Sequence, residues 1–439
     1  MPDKLKEYLG AVMAQIRWRR ARPALQAELE SHLLCQMEEC VAAGMTEEEA
    51  AAETVRQMGD PAETGAALDA VHRPAIQGGL LALTVLLALG GGFLRVWLTE
   101  GLDHGAAADP NRTALALCLG TVCLLGAYLG DYTVLCRHGK AVYAGMLLLT
   151  VASWELSPVV NCVPYFSRYL TGLSPVVYAL WLCAWRGQGW KGLAASIAGG
   201  VPLGLVCLLT LDLRGALCLC VTGLVLLTAA VRWDWFGPDW RRALALVWGT
   251  AVCVAAGAGM AFRQGFGQAR LLMALHPEVD PLGSGYQAMT VRRALSGVRW
   301  LGDSGTADWS MVPEAHQDFL PMTMACRLGW LPVLLLAGAV LALLVLLLVR
   351  AGKQGTAPGR LLAVSVSLLL GLRLACSVVM NLGFVLFSAQ FPLLVGNLQA
   401  VVDLALTGLG LSVLRQAHLP VWNTAPAAAR PPREAVKAE

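Results

Sequence analysis

Charge is scarce in this chain. Asp, Glu, Lys and Arg make up only 14% of its 439 residues, against about a quarter in soluble domains, while 56% are hydrophobic and the mean hydropathy is +0.59. That shortage argues against an ordinary soluble fold. A formal net charge of +3 is too small to point to a nucleic-acid partner. No C-x-x-C pair occurs. The 13 cysteines stand mostly alone in apolar runs, with only Cys162 in an expected external loop, which argues against a disulfide framework or a zinc site. They read as small apolar residues packing in a bilayer. No hydrophobic run precedes Ala75, so residues 1–73 do not read as a signal peptide. Long polar connections are missing too, with one exception, the stretch Phe262–Pro321.

Residues 1–74 differ in kind from the rest of the chain. Residues 1–73 hold eight Lys/Arg and thirteen Asp/Glu, and four short helices can be read there. The first runs through KLKEYLGAVMAQIRWRR. The second starts near Pro23, carries Leu25, Leu29, His32 and Leu33 on one stripe, and stops at Gly44. Thr46 opens a capping box with Glu49, and Gly59 ends that helix. Asp60-Pro61 supplies the N-cap and first position of the fourth. This is a small cytoplasmic helical domain with an acidic face and no catalytic constellation.

From residue 75 apolar segments of near-bilayer length recur, centred near residues 87, 123, 148, 178, 201, 223, 252, 338, 373 and 403. The fold class is therefore all-α, a polytopic membrane protein with about ten transmembrane helices over residues 75–415. One set of short loops holds Arg137, Lys140, Arg186, Lys191, Arg232, Arg241, Arg242, Arg350, Lys353 and Arg360, and the alternate set only Arg112, Arg168 and Arg214. This bias places the first set and both termini on the cytoplasmic side, and the loop 263–321 on the outer face of the membrane. The run RWDWFGPDWRR then falls at the inner headgroups, and residues 416–439, rich in Pro and Ala, read as a disordered cytoplasmic tail.

The loop 263–321 carries its own charge, aromatics and paired carboxylates, which makes it the place to look for chemistry, around Asp318. Asp318 has two readings from its position. It either acts as a partly desolvated base beside an apolar span, with its pKa raised, or caps the helix beginning near Leu320. Arg270, Arg292, Arg293 and Arg299 either match phosphate groups or are ordinary interfacial charge. Pro281, Gly283 and Gly285 read as turn formers. Asp212, at a membrane boundary, reads as a structural hydrogen-bonding group.

Two motifs in this loop resemble those of the SEDS family, the FtsW/RodA/SpoVE peptidoglycan glycosyltransferases. Arg270 stands seven residues before Pro277. Asp280-Pro281 and Gly283-Ser284-Gly285-Tyr286-Gln287 come next, and Ala294 and Gly302 fall at family positions. Pro313-Glu314-Ala315-His316-Gln317-Asp318-Phe319 matches the second motif with Gln317 in place of Thr, and Leu328-Gly329 continues it. Weaker echoes are Leu211-Asp212-Leu213, Asn381-Leu382-Gly383 and Pro392. Val177 and Leu180 stand where the family has Glu and Lys, Tyr169 where it has Trp, Thr290-Val291 where it has Gln-Ser, and the late S-Y-G-G element is absent. The first helices are similar to the prefix domain that precedes bacterial permeases, which implies a regulatory or docking role.

The resemblance implies polymerisation of lipid II, an undecaprenyl-linked precursor, in division, elongation or sporulation, with a class B penicillin-binding protein as partner. It implies Asp318 as catalytic base and Arg270 as a ligand of the leaving pyrophosphate. Glu314 and His316 position Asp318, hold a divalent cation with it, or hydrogen-bond the loop. Tyr286 and Gln287 contact sugar or pack the loop. The missing Glu/Lys pair suggests a second reading, a catalytically inactive scaffold that binds precursor or a partner synthase. A third, a lipid transporter or flippase, needs polar groups at mid-membrane depth, where Arg373 is the main candidate.

Overall fold

The computed structural model describes residues 1–19, 21–100, 107–160, 163–237, 239–263, 266–305, 308–394 and 397–417. Cys162 and the tail from His418 onward lie outside them. By its internal contacts the chain divides into two units, Met1–Ile76 with Arg415–Glu439, and Gln77–Leu414. Helices dominate. The strand pairing among the described residues is one short antiparallel ladder, Val159–Val160 with Val163–Pro164.

In the first unit, α1 (Asp3–Gln15), α2 (Arg22–Ala42), α3 (Glu47–Met58) and α4 (Pro61–His72) enclose a core of Leu5, Tyr8, Leu9, Val12, Leu25, Leu29 and Leu33. Helix α1 is shorter than its sequence suggests. Ile16 turns to an extended conformation and drops fully into the core, and the Arg22 guanidinium takes its carbonyl at 2.8 Å. Burying one isoleucine there outweighs a fifth helical turn. The capping box at Thr46 and Glu49 forms in both directions, and Asp60 caps α4 through the Ala62 N–H.

The second unit holds α5 (Gly78–Leu98), α6 (Pro110–Leu129), α7 (Tyr132–Arg137), α8 (Gly139–Leu156), α9 (Ser167–Thr171), α10 (Ser174–Ala184), α11 (Gly189–Leu209), α12 (Leu213–Arg232) and α13 (Trp240–Phe262). After these come α14 (Phe266–Leu275), α15 (Tyr286–Leu295), α16 (Leu320–Leu328), α17 (Trp330–Gly352), α18 (Ala357–Asn381) and α19 (Leu398–Arg415). Among the described residues eight of these are long and apolar enough to cross a membrane: α5, α6, α11, α12, α13, α17, α18 and α19. The other two anticipated spans are helices that fall short. Lys140 and Glu155 dilute α8, and α10 has only 11 residues. Helices α18 and α19 are the most buried spans and α13 the least.

Tryptophans and cations meet at both ends of this bundle, with Arg327 lying 5.9 Å over Trp97 and 5.6 Å over Trp309 at the α16 end and a larger group at the other. Lys140 sits 4.0 Å over the Trp185 ring, Arg186 5.2 Å over Trp235, Arg360 3.8 Å over Trp233, and Arg232 4.6 Å over Trp240. Guanidinium and ammonium groups over indole faces are at home in the headgroup layer. At the α16 end the stretch 263–321, anticipated as a loop, is largely folded into α14, α15 and short 3-10 turns. Gly329 separates α16 from α17 at φ 97°. A Cβ there would stand 2.5 Å from the Trp300 carbonyl oxygen, so the bend needs glycine on both counts.

Candidate functional site

The motif Pro313–Phe319 forms a tight turn. Glu314 takes a left-handed conformation, φ 61°, and its carbonyl accepts from the Gln317 and Phe319 N–H groups at 2.9 and 3.3 Å. Ala315 and Phe319 are buried, and His316, Gln317 and Asp318 between them stay half-buried. Three elements pin the turn. Arg95 of α5 donates to the His316 carbonyl at 2.9 Å and to Thr113 of α6 at 2.9 Å. Thr323 of α16 donates to the Ala315 carbonyl at 3.0 Å. Asn381, the last residue of α18, donates to the Asp318 carbonyl at 3.0 Å and accepts from the Met322 N–H at 2.9 Å. A non-glycine residue at positive φ is held only where the surroundings over-determine it, as they do here.

Asp318 is half-buried at the end of this turn. It does not cap the following helix: Phe319 holds the N-cap position and no side chain caps α16. Nor does it adjoin a full span directly, because the nine-residue α16 intervenes before α17 begins at Trp330. The Ser388 hydroxyl donates to its carboxylate, and the Arg168 guanidinium donates to the Ser388 oxygen at 3.1 Å. Arg214, buried on α12, adds positive charge that Asp212, Asp318 and Asp403 all feel.

Glu314 lies in the same field. Burial, then the nearby Asp318 carboxylate, raises its carboxyl above the ordinary value, against Arg168 and Arg95, although part of its side chain reaches solvent. His316 Nε2 stands 3.0 Å from Gln317 Nε2. The Gln317 side-chain oxygen accepts from Asn397 at 3.1 Å and Gln390 at 3.5 Å, and Asn397 also donates to the Gln390 oxygen at 3.0 Å. Gln317, the residue that departs from the resembled motif, thus anchors a carboxamide cluster beside Asp318. Among the described residues no group of three or more His, Cys, Asp or Glu side chains could hold a metal ion, so the divalent-cation option has no ligand set.

The first motif has a different job. The Asp280 carboxylate accepts from the N–H groups of Gly283 and Ser284 and from the Ser284 hydroxyl at 3.1, 2.8 and 2.9 Å. Those bonds, the Ser284 N–H foremost, lower the Asp280 carboxyl from its usual range. A Cβ on Gly285 would meet the Pro277 carbonyl oxygen at 2.2 Å. Tyr286 and Gln287 open α15 on the far side of that turn. No hydrogen bond among the described residues joins either to Asp318, and Arg270 sits half-buried on α14. Arg292 braces the loop, donating to the Ala274 carbonyl at 2.9 Å and the Gly383 carbonyl at 3.2 Å.

Asp212 caps α12 through the Gly215 N–H at 3.0 Å and accepts from Thr171 at 2.8 Å, a structural use. Arg373 pairs with Asp403 of α19, both 2% exposed, and donates to the Gly172 carbonyl at 2.7 Å. Gln399 donates to the same aspartate at 2.9 Å. Val177 and Leu180 are core residues, 6% and 2% exposed, so α10 presents no polar pair at those positions. Sequence reading missed Ser388, Arg214 and Asp403. Only Asp403 carries a signal, an acid in an apolar run next to a run carrying an arginine.

Comparison with known proteins supports one assignment. Residues 183–392 match the family model of FtsW/RodA/SpoVE cell cycle proteins, which leaves the N-terminal unit outside the match. Among curated relatives, the "Probable peptidoglycan glycosyltransferase FtsW" of Thioalkalivibrio sp. (strain K90mix) is 32% identical over 174 residues, 38% of this chain and 42% of that protein. The "Peptidoglycan glycosyltransferase MrdB" of Escherichia coli (strain K12) is 37% identical over 111 residues, 23% of this chain and 28% of that protein. The matches thus span well under half of these relatives. A chain of a peptidoglycan synthase complex, solved to describe structural coordination of polymerization and crosslinking, has the same fold. Its TM-score is 0.61 at 21% identity, covering 78% of this chain and 98% of that one. A variant of the rod shape determining protein RodA from Thermus thermophilus gives 0.51 at 19% identity, covering 78% and 97%. With the two loop motifs in order and the fold shared, the membrane unit of this chain is similar to the FtsW/RodA/SpoVE, or SEDS, family.

Proposed function

We propose that this protein is a divergent SEDS-type glycosyltransferase that polymerises lipid II on the outer face of the bacterial plasma membrane. A sugar hydroxyl of one precursor attacks the anomeric carbon of another. Asp318 takes the hydroxyl proton, the bond from that carbon to the diphosphate oxygen breaks, and undecaprenyl pyrophosphate leaves with the bonding pair. The observation that carries this reading is the state of Asp318. It is half-buried on a turn pinned from three helices, and no salt bridge among the described residues ties up its carboxylate. Arg168 and Arg214 supply the positive field that a departing diphosphate needs, and Arg270 is the further candidate for that group on the loop.

The outer-face assignment rests on the Lys/Arg bias, with both termini cytoplasmic. Likeness to a chain of a peptidoglycan synthase complex supports a class B penicillin-binding protein as partner. Glu314 and His316 serve in positioning, through charge and through the carboxamide cluster. Tyr286 and Gln287 remain the sugar-contact candidates.

A second reading, a scaffold that binds precursor without turnover, is favoured by the apolar packing of Val177 and Leu180. Polymerisation of labelled lipid II by the purified protein, alone and with class B penicillin-binding proteins, separates the two. Glycan strands made by the wild type and lost in Asp318→Ala support the enzyme. Lipid II bound but never polymerised by the wild type, with every partner tried, supports the scaffold.

A further inference from the structure

We infer that Ser388, backed by Arg168, is the positioning residue that orients the Asp318 carboxylate. The inference rests on the proposed role of Asp318 as base. It concerns how the carboxylate is aimed, which the motif itself does not specify.

The argument is one of hydrogen-bond direction. A guanidinium has donors only, so the Arg168 contact at 3.1 Å must use a lone pair of the Ser388 oxygen. A serine hydroxyl has one proton. With Arg168 fixed as donor, that proton points to the neighbouring acceptor, Asp318 Oδ2. The relay Arg168 to Ser388 to Asp318 therefore has one polarity. It holds Oδ2 and leaves Oδ1 with no hydrogen bond among the described residues, the oxygen open to an attacking hydroxyl.

Both ends of the relay are fixed. Arg168 lies on α9, whose last residue, Thr171, is bonded to the capping carboxylate Asp212. Ser388 lies between α18 and α19, next to Ala389, which is fully buried and donates its N–H to Met380 Sδ at 3.3 Å. Besides Ser388 and Asp318, Arg168 faces Glu314, whose charge it opposes. An aspartate without this relay keeps its turn, because Asn381 and Arg95 hold the backbone, but its carboxylate is free to rotate.

Two readouts test the idea. The first needs no turnover: carbodiimide labelling of Asp318 in nanodiscs, read by mass spectrometry, with labelling of Asp280 as the folding control. A carboxylate with one oxygen engaged by a fixed hydroxyl donor presents less of itself to the reagent and labels slowly. Ser388→Ala should raise the Asp318 rate at least about threefold, Arg168→Gln should raise it too, and Ser388→Thr, which keeps the hydroxyl, should restore the wild-type rate. The second is steady-state polymerisation. Ser388→Ala should lower kcat about tenfold, with KM within about twofold, while Ser388→Thr keeps most of the rate; tenfold corresponds to about 1.4 kcal/mol of barrier. Equal labelling in wild type and Ser388→Ala, or a threonine variant no better than alanine, overturns the inference. A wild type that labels as expected yet makes no glycan overturns the enzyme reading alone.

Discussion

The buried pair Arg373–Asp403 offers the sharpest test of how the membrane unit is held together. Both side chains are 2% exposed, and the pair joins α18 to α19, the two most buried spans. Arg373 also donates to the Gly172 carbonyl and Asp403 also accepts from Gln399, so every strong bond they make lies inside the bundle. Removing one partner strands the other. Arg373→Met leaves an anion with one hydrogen-bond donor, the Gln399 amide, and the unbonded charge of Arg214, and Asp403→Leu leaves a guanidinium with only a carbonyl. Each should cost about 3–5 kcal/mol, the size seen when a buried pair is broken from one side. The double variant Arg373→Met/Asp403→Leu removes both desolvated charges and should regain most of that loss, ending within about 2 kcal/mol of wild type. Unfolding free energies from SDS titration in mixed micelles close the double-mutant cycle. Single variants losing under about 1 kcal/mol, or a double variant as unstable as the sum of the singles, would refute the claim that these charges are mutually dependent and cut off from water.

Two more predictions concern the site and its supports. Ionising Glu314 is disfavoured in the fold, since its carboxyl is raised above the usual 4.5, so that cost is absent at low pH and sets in as pH rises through the raised value. The thermal stability of Glu314→Gln relative to wild type should therefore grow as pH is taken from about 4.5 to 7; a flat difference would show that the carboxyl titrates normally. Gly329→Ala should destabilise by at least about 1–3 kcal/mol in the same SDS titration, because the new Cβ meets both an unfavourable φ and a carbonyl oxygen.

The parts legible in the sequence are those written locally. The capping box at Thr46, the Asp280 turn and the cap at Asp212 each use residues within four positions of one another, and a chain read in order displays them. The centres of all ten apolar segments fall on helices, because long apolar runs have few alternatives in a bilayer. What could not be read is what distant segments do to each other. Asp318 takes its partners from Asn381 and Ser388, 63 and 70 positions on, and from Arg168 far upstream. Asn381 shows only as a faint motif echo, and Ser388 and Arg168 carry no signal of such a role in their own setting. The end of α1 escapes a sequence reading for the same reason, since the pull on Ile16 comes from a core assembled by four helices. Val177 and Leu180 show the converse. Sequence marks them as losses from a motif, and the structure shows them as gains to a core.

Helix α18 links the two ends of the membrane unit in one rigid piece. Arg360 near its start lies over Trp233 in the aromatic–cation girdle, and Asn381 at its end grips the Asp318 backbone. At about 1.5 Å per residue these two anchors stand about 31 Å apart, close to the hydrocarbon thickness of a typical bilayer. The helix thus works as a dipstick. It sets the height of the Asp318 carboxylate from the girdle, not from the surrounding leaflet. A membrane a few ångströms thinner leaves Asp318 standing proud of the headgroups, and a thicker one draws it down among them. Lipid composition thereby becomes a rheostat on access to the site, with no ligand and no change of fold required.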